Sequence, residues 1–214
     1  MTTVNGGSTG ARARAAQALA TRESIVDTAA RLFRTHGYRA TSITAIAAGA
    51  GVVVQTIYNA VGSKAALLNA VLDRTVAGPN APTAVPEFMR QRMAATKDAA
   101  SAVTVLADWL AEANLRAGEL FGLIRQAAAI DPEIAELERR RSLQRLEHYR
   151  EAAETLRRHG ALGTTVSDEQ AAAAIFAIGH PDIHRSLTRD AGWSPADYRA
   201  WLDSSLTAVL VVPR

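Results

Sequence analysis

Ile43-Thr44-Ala45-Ile46-Ala47-Ala48-Gly49-Ala50-Gly51-Val52-Val53-Val54-Gln55-Thr56-Ile57-Tyr58 is the stretch on which the reading of this chain turns. Ile43, Ile46, Ala47 and Ala50 recur at helical spacing and make one short apolar face, which Gly51 ends. Two helices that cross closely need a small residue at the contact, a place Ala47 can fill. They also need a glycine where the chain takes a left-handed turn, which Gly51 supplies. The spacing therefore predicts a helix, a turn and a second helix. Val52 and Ile57 then fill the angle between the two, while Val54, Gln55, Thr56, Tyr58 and Asn59 face outward. Amides, a hydroxyl and one aromatic ring on a short exposed helix suit a reader of the DNA major groove. A second reading stays open at this point. Residues 52–58 are rich in β-branched side chains, and the window alone would serve equally well as a strand. Capped or glycine-bounded segments on both sides, with no second strand to pair with, favour the helix.

Working outward, Ile25, Ala29, Leu32 and Phe33 form the stripe of an amphipathic helix that Thr21 caps and Gly37 stops. Residues 1–20, with Asn5-Gly6-Gly7-Ser8-Thr9-Gly10, read as a flexible basic tail. Gly62-Ser63 breaks the chain after the second short helix, and Ser63 caps a longer one carrying Ala66, Leu67, Ala70 and Val71. Residues 79–86 hold three prolines and read as a linker. Beyond it the pattern predicts helices at about 87–96, 98–117, 119–130, 132–159, 167–190 and 195–211. The fold class is all-α: an N-terminal three-helix helix-turn-helix domain, residues 21–66, then a larger helical domain, residues 67–214.

Composition narrows the function classes. The 214 residues are 48% hydrophobic, enough for a real core. Cysteine is absent, which excludes disulfides, thiolate-bound zinc and a cysteine nucleophile, and suits a reducing cytoplasm, the expected location. No run of about 20 apolar residues exists, so no membrane partner is expected. The net charge of +3 is unevenly spread. Up to Lys64 there are seven basic and two acidic residues, an excess of five, whereas the remainder is slightly acidic. A basic headpiece on an acidic body suits a phosphate-facing module, although an uneven solvated surface would give the same count. No nucleophile elbow, phosphate-binding glycine loop or carboxylate pair supports a helical enzyme, and no catalytic residue or cofactor is assigned.

The residues from Arg22 to about Val71 resemble the TetR/AcrR family of transcription regulators. The resemblance rests on Ile25, Ala29-Ala30, Leu32-Phe33, Gly37-Tyr38, Thr41-Ser42, Ile46-Ala47, Ala50-Gly51-Val52, Thr56-Ile57-Tyr58, Ser63-Lys64 and Leu67-Leu68. Gly192-Trp193-Ser194-Pro195, Tyr198 and Trp201-Leu202 resemble the last-helix region of many members. The resemblance implies that Val54 to about Ala60 is the recognition helix of a double-stranded operator, with Gln55 and Asn59 among its outward residues. It implies phosphate contacts from Thr41, Ser42, Thr56, Tyr58 and Lys64, and a packing role with some phosphate contact for Tyr38. Three positions depart from the family pattern: Val53 replaces a serine-like cap, Gln55 a glycine, and Ala60-Val61 a histidine-phenylalanine-like pair.

The resemblance also makes the C-terminal domain a small-molecule sensor and the chain a homodimer. Trp109, Asn114, Phe121, Arg125, Tyr149 and Phe176 are the candidate pocket residues; the aromatics read more readily as core, and Asn114 and Arg125 are the stronger candidates because a polar group there needs a partner. Ala174, Ile175 and Ile178 on one helix, with Trp201, Leu202, Leu206 and Val209 on the last, are the candidate dimer interface. His180 and His184 have a spacing that can bind metal, but Pro181 lies between them and no third ligand is evident, so no metal is assigned. The charged run Glu136 to Arg145 reads as a solvated face.

Overall fold

The computed structural model describes residues 6–78 and 84–212, with side chains from Gly10 onward. Residues 1–5 and most of the proline-rich linker lie outside the described residues. The chain divides into two compact units, Met1–Asp73 and Arg74–Arg214.

The first unit is built on α1 (Gly6–Ala40), α2 (Ile43–Ala50), α3 (Val54–Ala60) and most of α4 (Lys64–Ala77). The stretch read as a tail is helical from Gly6, and residues 10–20 are all exposed. Its alanines and arginines are strong helix formers, so the helix propagates backward from the packed part without burying anything. Thr21 is accordingly inside the helix, its hydroxyl donating to Gln17 O at 2.9 Å, and does not cap it. The backbone breaks at Gly37 (φ 76°, ψ 170°). Of the predicted stripe, Ile25, Ala29 and Phe33 are buried and Leu32 is half-buried; Val26 and Ala30 are buried beside them.

The decisive turn is a complete Schellman motif. Gly51 adopts the left-handed conformation (φ 68°, ψ 30°). Its N–H donates to Ala48 O at 3.2 Å, and the Val52 N–H donates to Ala47 O at 3.0 Å. The Ser42 hydroxyl accepts from Ala45 N at the other end of α2. The chain turns through 96° between α2 and α3. Among the described residues the secondary structure is helical and residues 54–60 are not extended, which removes the strand reading. The small residue at the α1–α2 crossing is Gly49, whose carbonyl accepts from the Thr28 hydroxyl at 3.5 Å. A methyl group on Gly49 would lie 2.8 Å from Thr28 Cγ2.

The second unit holds the end of α4, then α5 (Val85–Ala94), α6 (Ala99–Ala128), α7 (Pro132–Arg158), α8 (Asp168–Ile178), α9 (Pro181–Arg185) and α10 (Pro195–Leu210). Capping boxes start three of these: Asp98 with Ser101, Ser167 with Gln170, and Ser194 with Asp197. Asp131 caps α7, and Pro132 takes its first position. Two sequence expectations change here. The helices placed at 98–117 and 119–130 are one, because Gly118 is accommodated inside α6. The helix placed at 167–190 ends at Ile178, restarts at Pro181 and finishes in a π-helical turn, Ser186–Asp190. The break has a packing reason: a methyl group on Gly179 would stand 2.6 Å from Leu110 Cδ2, so α6 can approach only a bare backbone. Leu106, Leu110, Leu156, Ile175, Tyr198, Leu202 and Leu206 lead the core of this unit. No single described helix is long and apolar enough to cross a membrane.

Candidate functional site

The helix-turn-helix presents a small exposed surface. On α3, Gln55, Tyr58 and Asn59 are exposed, Val54 and Thr56 are half-buried, and Ile57 is buried between the helices. Gln55 Nε2 donates to Asn59 Oδ1 at 3.0 Å, one turn on, which aligns two amides along the outer face. Tyr58 is 50% exposed, a large ring that its own helix leaves half open to solvent. Val53 precedes α3 in the extended geometry of a cap, but no side-chain hydrogen bond reaches the first N–H groups. At the next helix Ser63 Oγ accepts from Ala66 N at 3.1 Å, so α4 is capped where α3 is not.

The remaining expected DNA contacts divide. Ser42 is exposed at the start of α2. Tyr38 is buried, 5.7 Å from the Phe33 ring, and the Lys64 ammonium sits 4.1 Å over its ring. Lys64 is thereby held beside α3 through the core of the headpiece. Thr41 differs from the expectation. It is 2% exposed, and its hydroxyl donates to Gly37 O (2.8 Å) and Leu32 O (3.2 Å). The hydroxyl ties the start of α2 back to the end of α1 and is spent inside the unit.

In the second unit the six candidate pocket residues separate into two groups. Phe121, Arg125, Tyr149 and Phe176 come together from α6, α7 and α8. Arg145 joins them, its guanidinium carbon 5.9 Å from the Phe121 ring centre and 5.0 Å from that of Phe176. Tyr149 and Phe176 meet edge to face at 6.5 Å, and the His180 ring lies 5.5 Å from Phe176. Arg125 is ion-paired with Asp182. Burial pushes the Tyr149 phenol up, against the pull of Arg145. Burial, then the charges of Arg145 and Arg125, hold the His180 imidazole below its ordinary value.

Trp109 and Asn114 are elsewhere. Trp109 is buried in the core, 6.0 Å from Phe88. Asn114 is 4% exposed and donates to Gly179 O (3.1 Å) and the Tyr198 hydroxyl (3.0 Å). The polar group that needed a partner has two inside the chain, and burial pushes the Tyr198 phenol up to about 12. A surface groove of about 430 Å³ beside α5, lined by residues that include Arg92, Thr96, Lys97, Asp98 and Ser101, involves none of the six.

The histidine pair and the dimer candidates each have a definite place. His180 Nδ1 accepts from Asp182 N at 3.2 Å and caps α9, while His184 stands edge-on to Tyr198 at 4.8 Å. Among the described residues no group of three acidic or histidine side chains is placed to hold a metal. Of the interface candidates, Ile175, Leu202 and Leu206 are fully buried in the unit's own core. They leave the interface set, because a side chain enclosed by its own chain has no area to offer a partner. Ala174, Ile178, Trp201 and Val209 remain partly or fully exposed on α8 and α10, Val209 at 55%.

Two residues escaped the sequence reading. Gly49 left a signal, a mid-helix glycine in a segment with no other reason for one. Arg145 was hidden in a charged run. Its position one turn before Tyr149 puts both on the same face of α7, which is the signal that was there to use.

The pattern of the family described as "Bacterial regulatory proteins, tetR family" matches residues 25–71. No curated protein matches the sequence significantly. Solved structures match the fold of nearly the whole chain. NalD, the secondary repressor of the MexAB-OprM multidrug efflux pump in Pseudomonas aeruginosa, is 21% identical with a TM-score of 0.68, over 92% of this chain and 99% of its own. The SmeT–triclosan complex is 19% identical with a TM-score of 0.70, over 90% and 92%. GusR of Salmonella enterica is 18% identical with a TM-score of 0.66, over 90% and 96%. Residues 25–71 thus match the pattern of the tetR family, and the chain as a whole shares its fold with solved structures of TetR-family proteins.

Proposed function

We propose that this chain is a homodimeric, sequence-specific DNA-binding repressor of transcription, released from its operator by a small-molecule effector. The observation that carries the reading is α3: a short helix projected by the Gly51 turn, with Gln55, Tyr58 and Asn59 exposed. It belongs to the segment in which basic residues outnumber acidic ones by seven to two. In a twofold dimer, two such helices would enter successive major grooves of a near-palindromic site. The fold neighbours include a repressor and a complex with triclosan, which is what those proteins do or hold.

The polar partners found inside the chain for Asn114 and Arg125 favour a second reading, a DNA-bound regulator with no effector. The test measures affinity for the DNA upstream of this gene across a salt series. Tyr58→Ala and Lys64→Ala should each weaken binding about tenfold, and each lost phosphate contact should reduce the salt slope by about 1. Gln55→Ala should change which sites are selected from a random pool, because a glutamine amide pairs with adenine. Unchanged affinity in both of the first two variants at all salt concentrations would remove the docking described.

A further inference from the structure

We propose that Arg145 is the binding point for the carboxylate of a small ligand with a flat apolar body, so that the effector is an organic anion. This rests on the reading of the second unit as a sensor and adds the charge of what is sensed. Three other arginines of α7 supply the contrast. Arg139 pairs with Glu136, Arg150 with Glu147 and Glu154, and Arg157 with Asp168. Arg145 makes no ion pair among the described residues. Its Nη2 reaches Ser142 Oγ at 3.3 Å, and its Nε is buried with no acceptor among the described residues. Burial accordingly pulls the guanidinium below its ordinary value, with Glu138 and Arg141 acting on it in opposite directions.

Two phenyl rings, Phe121 and Phe176, flank this cation, and Tyr149 stands behind it on the same helix face. Asp182 is ion-paired with Arg125, and burial, then the charges of Arg145 and Arg125, hold the His180 imidazole below its ordinary value. Arg145 thus carries a positive charge that no carboxylate pairs with directly among the described residues, Glu138 acting on it without an ion pair, at a place partly withdrawn from water. Keeping a guanidinium there unpaired is costly. A carboxylate matches its planar fork with two parallel hydrogen bonds, and the rings supply walls for a flat apolar body.

The experiment titrates the full-length protein by calorimetry with 2-naphthoate and with its neutral analogue 2-naphthamide. The wild type should bind the anion at least about tenfold more tightly. Arg145→Met, which keeps an unbranched apolar chain between the rings, should abolish the difference, and Arg145→Lys should retain part of it. Circular dichroism and melting establish that both variants fold. Equal binding of the two probes, an unaltered naphthoate affinity in Arg145→Met, or no naphthoate binding at about 1 mM overturns the proposal. Adding naphthoate to the DNA complex separates the two readings. Arg145-dependent binding without DNA release keeps the carboxylate site and removes its effector role. DNA release by neutral compounds alone keeps the sensor and overturns the anion.

Discussion

Gly51 is where one residue does most to shape the molecule. Its φ of 68° lies in the region that a Cβ disfavours, and a methyl group there would meet no atom within 4 Å. The strain of a substitution is therefore in the backbone alone. Gly51→Ala should destabilise the N-terminal unit by about 1–2 kcal/mol, read as a lower urea midpoint for that unit with the second unit unchanged. An unaltered midpoint would mean that residue 51 leaves the left-handed region without cost. Tyr38 and Thr41 show how far single residues can be read. Both carry groups that suit phosphate, and both are buried. Their neighbours in space, Phe33, Lys64 and the Leu32 carbonyl, claim them first.

At the scale of the element, α3 is the least secured helix of the headpiece. It has seven residues, and its cap position has the right backbone geometry and the wrong side chain. Val53 is 70% exposed, so replacing it removes little packing. Val53→Ser should stabilise α3 by about 1 kcal/mol. Hydrogen exchange at the amides of 55–58 should slow about fivefold in the variant; exchange as fast as in the wild type would show that the missing cap does not limit α3. The helices of the second unit were legible where a cap coincided with a change of period, as at Asp131-Pro132 and Ser194-Pro195. They were misread at Gly118 and Gly179. One glycine passes unnoticed inside a helix and the other ends one, and the difference lies in what packs against each: a methyl group on Gly118 would make ordinary contact with the His184 ring at 3.5 Å, whereas one on Gly179 would clash with Leu110.

At the scale of the whole molecule, α8 and α10 each have an inner and an outer face. The inner faces, with Ile175, Leu202 and Leu206, hold the core together. Val209 is exposed on the outer face of α10 and Ile178 is half-buried at the edge of the core, and these two carry the proposed dimer. Ile178→Arg combined with Val209→Arg should convert a dimer to a monomer in light scattering, with helical content unchanged, because neither position is fully buried. A dimer that survives both charges would place the interface elsewhere.

The order of helices, the turn at Gly51, the exposure of Gln55 and Asn59 and the basic headpiece were all determined along the chain itself. Each depends on local chemistry: periodicity, caps and one glycine within a few residues of where it acts. The tertiary structure alone decided which stripe residues face inward, that Asn114 bonds to Gly179 and Tyr198, and that Arg145 turns from its charged run to stand between two rings. Those outcomes join residues tens of positions apart, and the period of a helix tells which residues share a face but not what that face will meet.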